Sequence, residues 1–249
     1  FFNKIIDFNM KTAIVTGGTK GIGRGVAEML LEKGYHVIAT YAHDSDAANR
    51  FFRESISISP EIEVIQIDQA IRSETYKLIN YIKAKFESID CIICNAGLTR
   101  RKPFSQSTDE DWDAMMEVAV NSHYIIIREL FKLLSNKSRI IFTASEMALY
   151  PHGTVLGYGV TKSAVIALAK NLVKEFEGTD TTVNAIAPGF VDTEWQKNKP
   201  ADIRENICRK TAIHRFASIS EIVGAFEFCI DNAFINGSVL EISGGYCYK

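Results

Sequence analysis

Short apolar runs alternate with longer helical patterns along almost the whole 249-residue chain. The runs have the length of buried strands, and most of the stretches between them repeat apolar residues at helical spacing. This alternation predicts a single α/β domain, a doubly wound parallel sheet of about seven strands with helices on both faces. The predicted strands are 12–18, 36–40, 63–68, 91–97, 139–145, 182–189 and 238–245. The predicted helices are 22–33, 46–55, 73–87, 109–134, 158–177 and 219–230.

Composition argues against several classes of partner. Hydrophobic residues make up 47% of the chain and charged residues 23%, which is ordinary for a globular protein with a sizeable core. A net charge of −2 gives no broad electrostatic reason to bind nucleic acid or an anionic membrane. No apolar run approaches the ~18 residues needed to cross a bilayer. We therefore expect a cytoplasmic protein with neither kind of partner.

The opening residues 1–9 are predicted to be an extension of unknown purpose. They are too short for a secretory signal and include Asp7, whereas Met10 begins a stretch that resembles a natural start. The predicted domain therefore covers residues 10–249.

The five cysteines form an odd set without a secretory signal, which indicates a reducing compartment and free thiols. Cys91 and Cys94 form a CxxC pattern that suggests redox chemistry or metal binding at first sight. Their context is an apolar strand, where positions three apart point to opposite faces. We therefore expect buried packing for both thiols and predict no metal site.

A glycine-rich turn, "TGGTKGIG" at 16–23, follows the first predicted strand and leads into a helix. Glycines allow a tight turn and close approach of the backbone to a ligand. The free N–H groups and dipole at a helix start attract the pyrophosphate of a dinucleotide. Because ligands of such sheets bind beyond the carboxyl ends of the strands, this turn is a predicted nucleotide site.

The stretch "YGVTK" at 158–162 places a tyrosine and a lysine four residues apart in a predicted helix. Residues at i and i+4 share one helix face, so Tyr158 and Lys162 are expected to be neighbours. A nearby ammonium favours the phenolate and lowers the pKa of a phenol. The pair could therefore be an acid/base catalyst, although an amphipathic helix also produces this spacing by chance.

The order of the motifs resembles that of the short-chain dehydrogenase/reductase family. The resemblance runs from about Lys11 to the C-terminus, and it implies a Rossmann-type fold, a nicotinamide cofactor and hydride transfer to or from a carbonyl or alcohol carbon. The motifs that carry it are the TGxxxGxG turn, "NAG" at 95–97, Asn121, Ser145, "YGVTK" at 158–162 and "APGFVDT" at 187–193.

The resemblance assigns catalytic roles to four residues. It implies that Tyr158 donates a proton to the carbonyl oxygen, and that Lys162 lowers the pKa of Tyr158 and holds the nicotinamide ribose. Ser145 would hydrogen-bond the substrate oxygen, and Asn121 would anchor a water molecule in a proton relay through Lys162.

The same resemblance assigns contacts with the cofactor. Asp68 resembles the acid that contacts the adenine, and Thr193 resembles the threonine that contacts the carboxamide. The full predicted set is Gly17, Thr19, Lys20, Gly21, Ile22, Gly23, Tyr41, Asp68, Asn95, Ala96, Gly97, Tyr158, Lys162, Pro188, Gly189, Val191 and Thr193.

Residues near the second strand favour NADP(H) over NAD(H). An NAD enzyme usually has a carboxylate at the end of this strand, but here the strand ends in Thr40 and Tyr41. Lys20 lies where basic residues of the family commonly meet the 2′-phosphate, and His43 could assist. Asp44 and Asp46 count against this preference, because a bent loop could bring one of them to the ribose.

Several stretches look most like 3-oxoacyl-[acyl-carrier-protein] reductases of fatty acid biosynthesis. Docking of an acidic carrier protein would need basic residues near the site entrance. The segment "LLSNKSR" contains Lys137 and Arg139, but "KEFEGTD" at 174–180 is acidic, which argues against docking of a carrier protein. Sugar, polyol and other small-ketone dehydrogenases of the family are the alternative.

Two segments should decide the substrate: the loop "SEMALYPHGTVLG" at 145–157 and residues 194–216. His152 and Trp195 are candidates to line the substrate pocket, with packing or surface positions as the plain alternative. From another class, a catalytically idle dinucleotide-binding sensor is disfavoured because all four catalytic residues are present.

The resemblance also implies a homotetramer in which helices 109–134 and 158–177 pair across a twofold axis. Apolar positions that could exceed what the sheet covers are Ile125, Ile126, Ile127, Val165 and Leu172.

One departure from the family concerns Cys94, which replaces a second asparagine before "NAG". Cofactor binding should survive this change, with different local hydrogen bonds.

Overall fold

Seven parallel strands form one sheet in the computed structural model, which describes residues 10–246. Their order is β3-β2-β1-β4-β5-β6-β7, so the chain reverses its direction of winding between β1 and β4. Such a reversal opens a crevice at the carboxyl ends of the two strands. The strands are β1 (Thr12–Val15), β2 (His36–Tyr41), β3 (Ile62–Gln66), β4 (Ile89–Cys94), β5 (Leu134–Thr143), β6 (Thr182–Pro188) and β7 (Val239–Ile242).

Helices cover both faces of the sheet and give it two cores. One core packs α3, α5 and α6 against the sheet, and the other packs α1, α2 and α9. The helices are α1 (Gly21–Glu32), α2 (Ser45–Ser55), α3 (Arg72–Lys85), α4 (Asp109–Met116), α5 (Ser122–Leu130), α6 (Leu156–Glu175), α7 (Glu194–Lys197), α8 (Ala201–Lys210) and α9 (Ile219–Asp231). The predicted fold class is confirmed.

The boundaries differ from the predicted ones for identifiable reasons. The run 12–18 includes the glycine turn, whereas β1 already ends at Val15. The predicted helix 109–134 contains a π-helical turn, Glu117–Asn121, which separates α4 from α5. Helices α7 and α8 were not predicted, because they are short, mostly polar and bury little apart from Ile207.

The CxxC pattern behaves as predicted. Cys91 and Cys94 are free and buried, and they belong to the two different cores on opposite faces of β4. Residues 1–9, the predicted extension, lie outside the described residues. Within residues 10–246, no helix combines the length and the apolar character that a membrane crossing requires.

Candidate active site

A cleft of about 860 Å³ lies along the carboxyl ends of the strands. Most of the predicted site residues line it, although they come from seven separate segments of the chain. Those lining it are Gly17, Lys20, Gly21, Ile22, Gly23, Tyr41, Asp68, Asn95, Ala96, Gly97, Ser145, Tyr158, Lys162, Pro188, Gly189, Val191 and Thr193. Of the predicted residues, Thr19 is buried and Asn121 half-buried, and neither lines the cleft.

The turn between β1 and α1 has the form of a phosphate cradle. Gly17 and Gly21 have φ angles of 61° and 55°, a region that favours glycine. A Cβ at Gly23 would lie 2.3 Å from the Gly17 carbonyl oxygen, so only glycine fits there. Helix α1 begins without a side-chain cap and without an acid in its first turn. Its free N–H groups therefore fit the pyrophosphate of a dinucleotide.

Asn95 joins the ends of three strands below this cradle. Its amide nitrogen donates to the carbonyl oxygens of Thr16 and Gly17 at 3.0 and 3.1 Å. Its amide oxygen accepts from the Thr143 hydroxyl at 3.1 Å. The neighbouring Cys94 is buried in the core and contributes packing. The central strands thus remain tied together although Cys94 replaces the family's second asparagine.

His123 is a buried residue of the site region that the sequence did not reveal. Its Nδ1 lies 2.9 Å from the Ala119 carbonyl oxygen, and its Nε2 lies 2.9 Å from the Thr16 hydroxyl. Since a carbonyl only accepts, Nδ1 carries the proton and Nε2 accepts from Thr16. Burial lowers the pKa of His123 to about 4, so the ring is neutral. His123 therefore fixes helix α5 to the end of β1.

Ser145, Tyr158 and Lys162 meet at one end of the cleft. Ser145 follows β5, and its hydroxyl accepts from the Met147 N–H at 3.2 Å. Lys162 is buried, and its Nζ donates to the Thr143 carbonyl oxygen at 2.6 Å. The same Nζ lies 5.6 Å from the centre of the Tyr158 ring. The predicted neighbourhood of Tyr158 and Lys162 is therefore found.

The predicted lowering of the Tyr158 pKa by Lys162 is not found. The pKa of Tyr158 is raised, mainly by burial; a hydrogen bond with Ser145 opposes this, and the Glu146 carboxyl adds to it. Burial also lowers the pKa of Lys162 to about 8. Burial thus outweighs the hydrogen bond with Ser145 in setting the pKa of this tyrosine. A phenol with a raised pKa keeps its proton at neutral pH and can donate it.

Asn121 lies apart from this group. Its side-chain amide donates to Glu117 at 2.8 Å, and Glu117 is held by Arg72 on the outer side of the helix. Asn121 ends the π-helical turn, and the residues of this helix region that line the cleft are Ala114 and Val118. The described structure therefore gives no support to the predicted relay from Asn121 through Lys162.

The adenosine end of the cleft carries paired charges. The Lys20 ammonium lies 2.7 Å from an Asp44 carboxylate oxygen, and both side chains are substantially exposed. The other Asp44 oxygen caps helix α2 by accepting from the Ala47 N–H at 3.0 Å. His43 lies 3.4 Å from Asp68. Lys20, the predicted phosphate-binding residue, is therefore paired with Asp44, an acid whose position the sequence did not predict.

Glu146 is a second residue that sequence reasoning missed. The residue is only 2% exposed, and within the described part of the chain neither carboxylate oxygen has a hydrogen-bond partner. Burial, with a further contribution from Glu241, raises its pKa to about 8. A charged residue after a strand end is usually solvated, so nothing in the sequence marked Glu146 as buried.

The two candidate pocket residues occupy different positions. Trp195 lines the cleft and is 56% exposed. His152 is half-buried, and its ring centre lies 6.3 Å from that of Phe190, which lines the cleft. The Nδ1 atom of His152 is buried, and none of the described residues forms a hydrogen bond with it. Trp195 thus lies in the cleft wall, and His152 packs behind that wall.

Comparison with known proteins agrees with this geometry. Residues 11–204 match the family model described as short chain dehydrogenase. A 2-dehydro-3-deoxy-D-gluconate 5-dehydrogenase of Pseudoalteromonas atlantica is 33% identical over 95% of each chain. A 3-oxoacyl-[acyl-carrier-protein] reductase of Synechocystis is 31% identical over 94% of this chain and 96% of its own. The structure of a Burkholderia cenocepacia short chain dehydrogenase in complex with NADP superposes with a TM-score of 0.88, at 26% identity, over 95% of this chain and 98% of its own.

Proposed function

The chain belongs to the short-chain dehydrogenase/reductase family of oxidoreductases, and we propose that it is an NADP(H)-preferring enzyme that reduces a small polar ketone. One observation carries the proposal: Ser145, Tyr158 and Lys162 lie in the same cleft as a glycine cradle that fits a dinucleotide. A bound nicotinamide dinucleotide supplies the hydride. The residues of the chain supply the proton and the geometry.

Three side chains share the work on the carbonyl group in this proposal. The Tyr158 hydroxyl gives its proton to the carbonyl oxygen while the carbon receives the hydride. Ser145 donates a hydrogen bond to the same oxygen and stabilises the charge that develops on it. Lys162, anchored on the Thr143 carbonyl, holds the ribose hydroxyls and returns a proton to the phenol.

The preference for NADP(H) rests on Lys20 and on the absence of an acid at Thr40 and Tyr41. The NADP complex of the related Burkholderia protein agrees with it. Asp44 opposes it, because its carboxylate already pairs with Lys20 and would repel a 2′-phosphate. We therefore propose a preference for NADPH that Asp44 limits.

Two variants test the proposed preference for NADPH. Lys20→Ala should raise the KM for NADPH about tenfold, because a charge-assisted hydrogen bond is lost. Asp44→Asn should lower that KM several-fold, since asparagine caps helix α2 as well as aspartate does but carries no charge. The KM for NADH should change little in both. Equal effects on the two cofactors would remove the role given to Lys20.

The position of Arg139 supports a small polar ketone, rather than a carrier-bound thioester, as the proposed substrate. Arg139, one of the two basic residues expected at a carrier-protein surface, donates to the carbonyl oxygens of Lys137, Ser138, Asp180 and Ile230. It is therefore a structural residue.

The cleft itself also favours a polar substrate. Thr99 and Gln196 line it, and each carries a buried side-chain oxygen without a hydrogen-bond partner among residues 10–246. Buried polar atoms cost free energy unless they are hydrogen-bonded, and substrate hydroxyl groups would supply those bonds. One relative is named for a gluconate derivative, which agrees with such a substrate.

An assay with a panel of carbonyl compounds tests the proposed substrate class. NADPH oxidation is followed with keto sugars and keto sugar acids, with simple ketones, and with acetoacetyl-CoA as the β-keto thioester. We expect the highest kcat/KM for a hydroxylated ketone. Activity confined to the thioester would establish the 3-oxoacyl reductase alternative, and tight dinucleotide binding without turnover of any carbonyl would indicate the idle sensor.

A further inference from the structure

The substrate end of the cleft carries positive charge that the protein does not neutralise. Four charged side chains of its lining come from the loop after β4, from helix α7 and from the residues just after that helix. Arg100 lies 3.9 Å from Asp111, and Glu194 is held by Lys197 at 2.5 Å. Arg101 and Lys199 also line the cleft, and no carboxylate in residues 10–246 lies within ion-pair distance of either. These two cations are the feature to explain.

Arg101 is fixed on the cleft wall by the loop before α6. Its Nη1 donates to the Thr154 hydroxyl at 3.1 Å, and the Lys102 N–H donates to the Thr154 carbonyl oxygen at 3.2 Å. Thr154 has a φ of 61°, a left-handed conformation that β-branched residues rarely adopt. Two loops are thus joined in an unusual conformation, and the join holds the Arg101 guanidinium at the cleft.

Lys199 lines the same cleft and lies near Arg101. It is half-buried just after helix α7, and its N–H donates to the Gln196 carbonyl oxygen at 3.2 Å. Burial lowers the pKa of Lys199, and Arg101 is near enough to lower it further. Arg101 is exposed and Lys199 half-buried, so water screens their mutual repulsion only in part, and an anion bound beside both would offset it.

The same walls present hydrogen-bonding groups. The Thr99 hydroxyl and the Gln196 side-chain oxygen are buried and lack partners among the described residues. Thr99 precedes Arg101 by two residues, and Gln196 precedes Lys199 by three, so each neutral group accompanies one cation. The arrangement suits a ligand that carries both a negative charge and hydroxyl groups.

We propose that Arg101 and Lys199 form an anion subsite that takes the carboxylate of a hydroxylated keto acid while its ketone lies at Ser145 and Tyr158. The inference rests on the proposed function and names its substrate class. The phosphates of a coenzyme A thioester offer the same anionic chemistry. The experiment must therefore separate a carboxylate from a phosphate.

Calorimetric titration of the protein saturated with NADP⁺ tests the subsite directly. D-gluconate and D-sorbitol are the probes, because they share their hydroxyl groups and differ in the carboxylate. The wild-type protein should bind D-gluconate about tenfold more tightly, as a charge-assisted hydrogen bond predicts. Added salt should reduce the preference. Equal binding of the two probes, or binding of neither, would overturn the proposal.

Charge variants locate the effect. Arg101→Gln and Lys199→Gln should each remove most of the preference for D-gluconate, and Arg101→Lys should restore part of it. Lys170→Gln is the matched control, because Lys170 is exposed on α6 and does not line the cleft. The affinity for NADPH should stay unchanged in all four variants. A loss of NADPH affinity with the gluconate preference intact would assign the two cations to the dinucleotide instead.

Turnover distinguishes the remaining source of negative charge. Acetoacetyl-CoA and acetoacetyl-N-acetylcysteamine differ in the phosphates of the carrier. If the two Gln variants lose discrimination only between these thioesters, the anion is a phosphate and the carboxylate assignment is wrong. NADPH oxidation with a neutral ketone should survive in the variants. Its absence in the wild-type protein would instead count against the proposed function.

Discussion

The Tyr158 hydroxyl is the proton donor in the proposed reduction. Replacing Tyr158 with Phe removes only that hydroxyl, so turnover should fall by ~10² to 10⁴, the usual contribution of general acid catalysis. The Kd for NADPH, measured by fluorescence titration, should stay nearly the same. Tyr76→Phe is the control, because the Tyr76 hydroxyl bonds Arg128 away from the cleft. Comparable turnover in Tyr158→Phe and wild type would exclude Tyr158 as the acid.

Glu146 should make stability depend on pH. Its pKa in the folded protein is about 8, above the ordinary value of 4.5, so the folded state holds the proton more tightly than the unfolded chain. The contribution of Glu146 to the unfolding free energy is therefore fully present below pH 4.5 and is lost as the pH rises towards 8. Glu241 and Tyr158 are the ionisable neighbours coupled to it.

Glu146→Gln removes this titration while keeping the shape of the side chain. The variant should match the wild type in unfolding free energy at about pH 4 and exceed it by on the order of 3 to 5 kcal/mol at about pH 9, because each unit of the pKa difference corresponds to about 1.4 kcal/mol. Urea unfolding across this range measures the difference. Parallel pH curves for the two proteins would mean that Glu146 is not a buried neutral acid.

Single residues also show where sequence reasoning reaches its limit. The glycines of the turn and the spacing of Tyr158 and Lys162 are local signals, and both led to correct placements in the cleft. The Lys20–Asp44 pair depends on how the loop after β2 bends, and Glu146 lies near Gly189 and Glu241, which are distant in sequence. Neither the bend nor the distant neighbours can be read from the local sequence.

The helix from Asp109 to Leu130 illustrates the same limit for a longer segment. Its apolar pattern predicted one continuous helix, 109–134, and the family resemblance placed Asn121 of that helix at the site. The π-helical turn Glu117–Asn121 adds a residue to one turn and changes which side chains face the sheet. The sequence "EVAVN" contains no Gly or Pro to mark the turn. The strand ends, by contrast, are followed by glycine or polar residues and were located more closely.

The junction of β1 and α1 should tolerate no side chain at Gly23. An added Cβ would lie 2.3 Å from the Gly17 carbonyl oxygen and 2.4 Å from the Asn95 amide nitrogen. Gly23→Ala should therefore displace α1, lower the unfolding free energy by about 1 to 3 kcal/mol and weaken NADPH binding. Gly224→Ala in α9 is the matched control, since nothing lies within 4 Å of its Cβ.

The control should change stability in the opposite direction. Alanine is favoured over glycine inside a helix by up to about 1 kcal/mol, so Gly224→Ala should be slightly stabilising and leave NADPH affinity unchanged. Thermal unfolding and dinucleotide titration compare the two variants. Normal NADPH affinity in Gly23→Ala would show that the turn is not a close-fitting cradle.

The apolar residues first expected to pair the long helices between subunits lie inside the chain. Ile125, Ile126, Ile127 and Val165 are at most 5% exposed and belong to the core on the α5 and α6 side of the sheet, and Leu172 packs against it. They were misplaced because apolar periodicity does not say whether the sheet or another subunit covers a helix face.

Other large apolar side chains are exposed to solvent in the single chain, and they support the prediction of a homotetramer. Trp112, Tyr124 and Val160 are 39 to 46% exposed on α4, α5 and α6, and Phe234, in the loop between α9 and β7, is 99% exposed. A tetramer with two kinds of twofold interface covers apolar side chains at two places, and we predict that the three helices contribute to one interface and Phe234 to the other.

Light scattering on the purified protein should give the mass of four chains. Phe234→Asp places a charge in one of the two predicted interfaces, where desolvating it is costly, and should therefore yield dimers. Phe52→Asp is the control, because Phe52 is 39% exposed on α2, away from both surfaces, and this variant should remain tetrameric. Wild-type protein that runs as a monomer would refute the tetramer, and a tetrameric Phe234→Asp would show that the loop between α9 and β7 lies outside its interfaces.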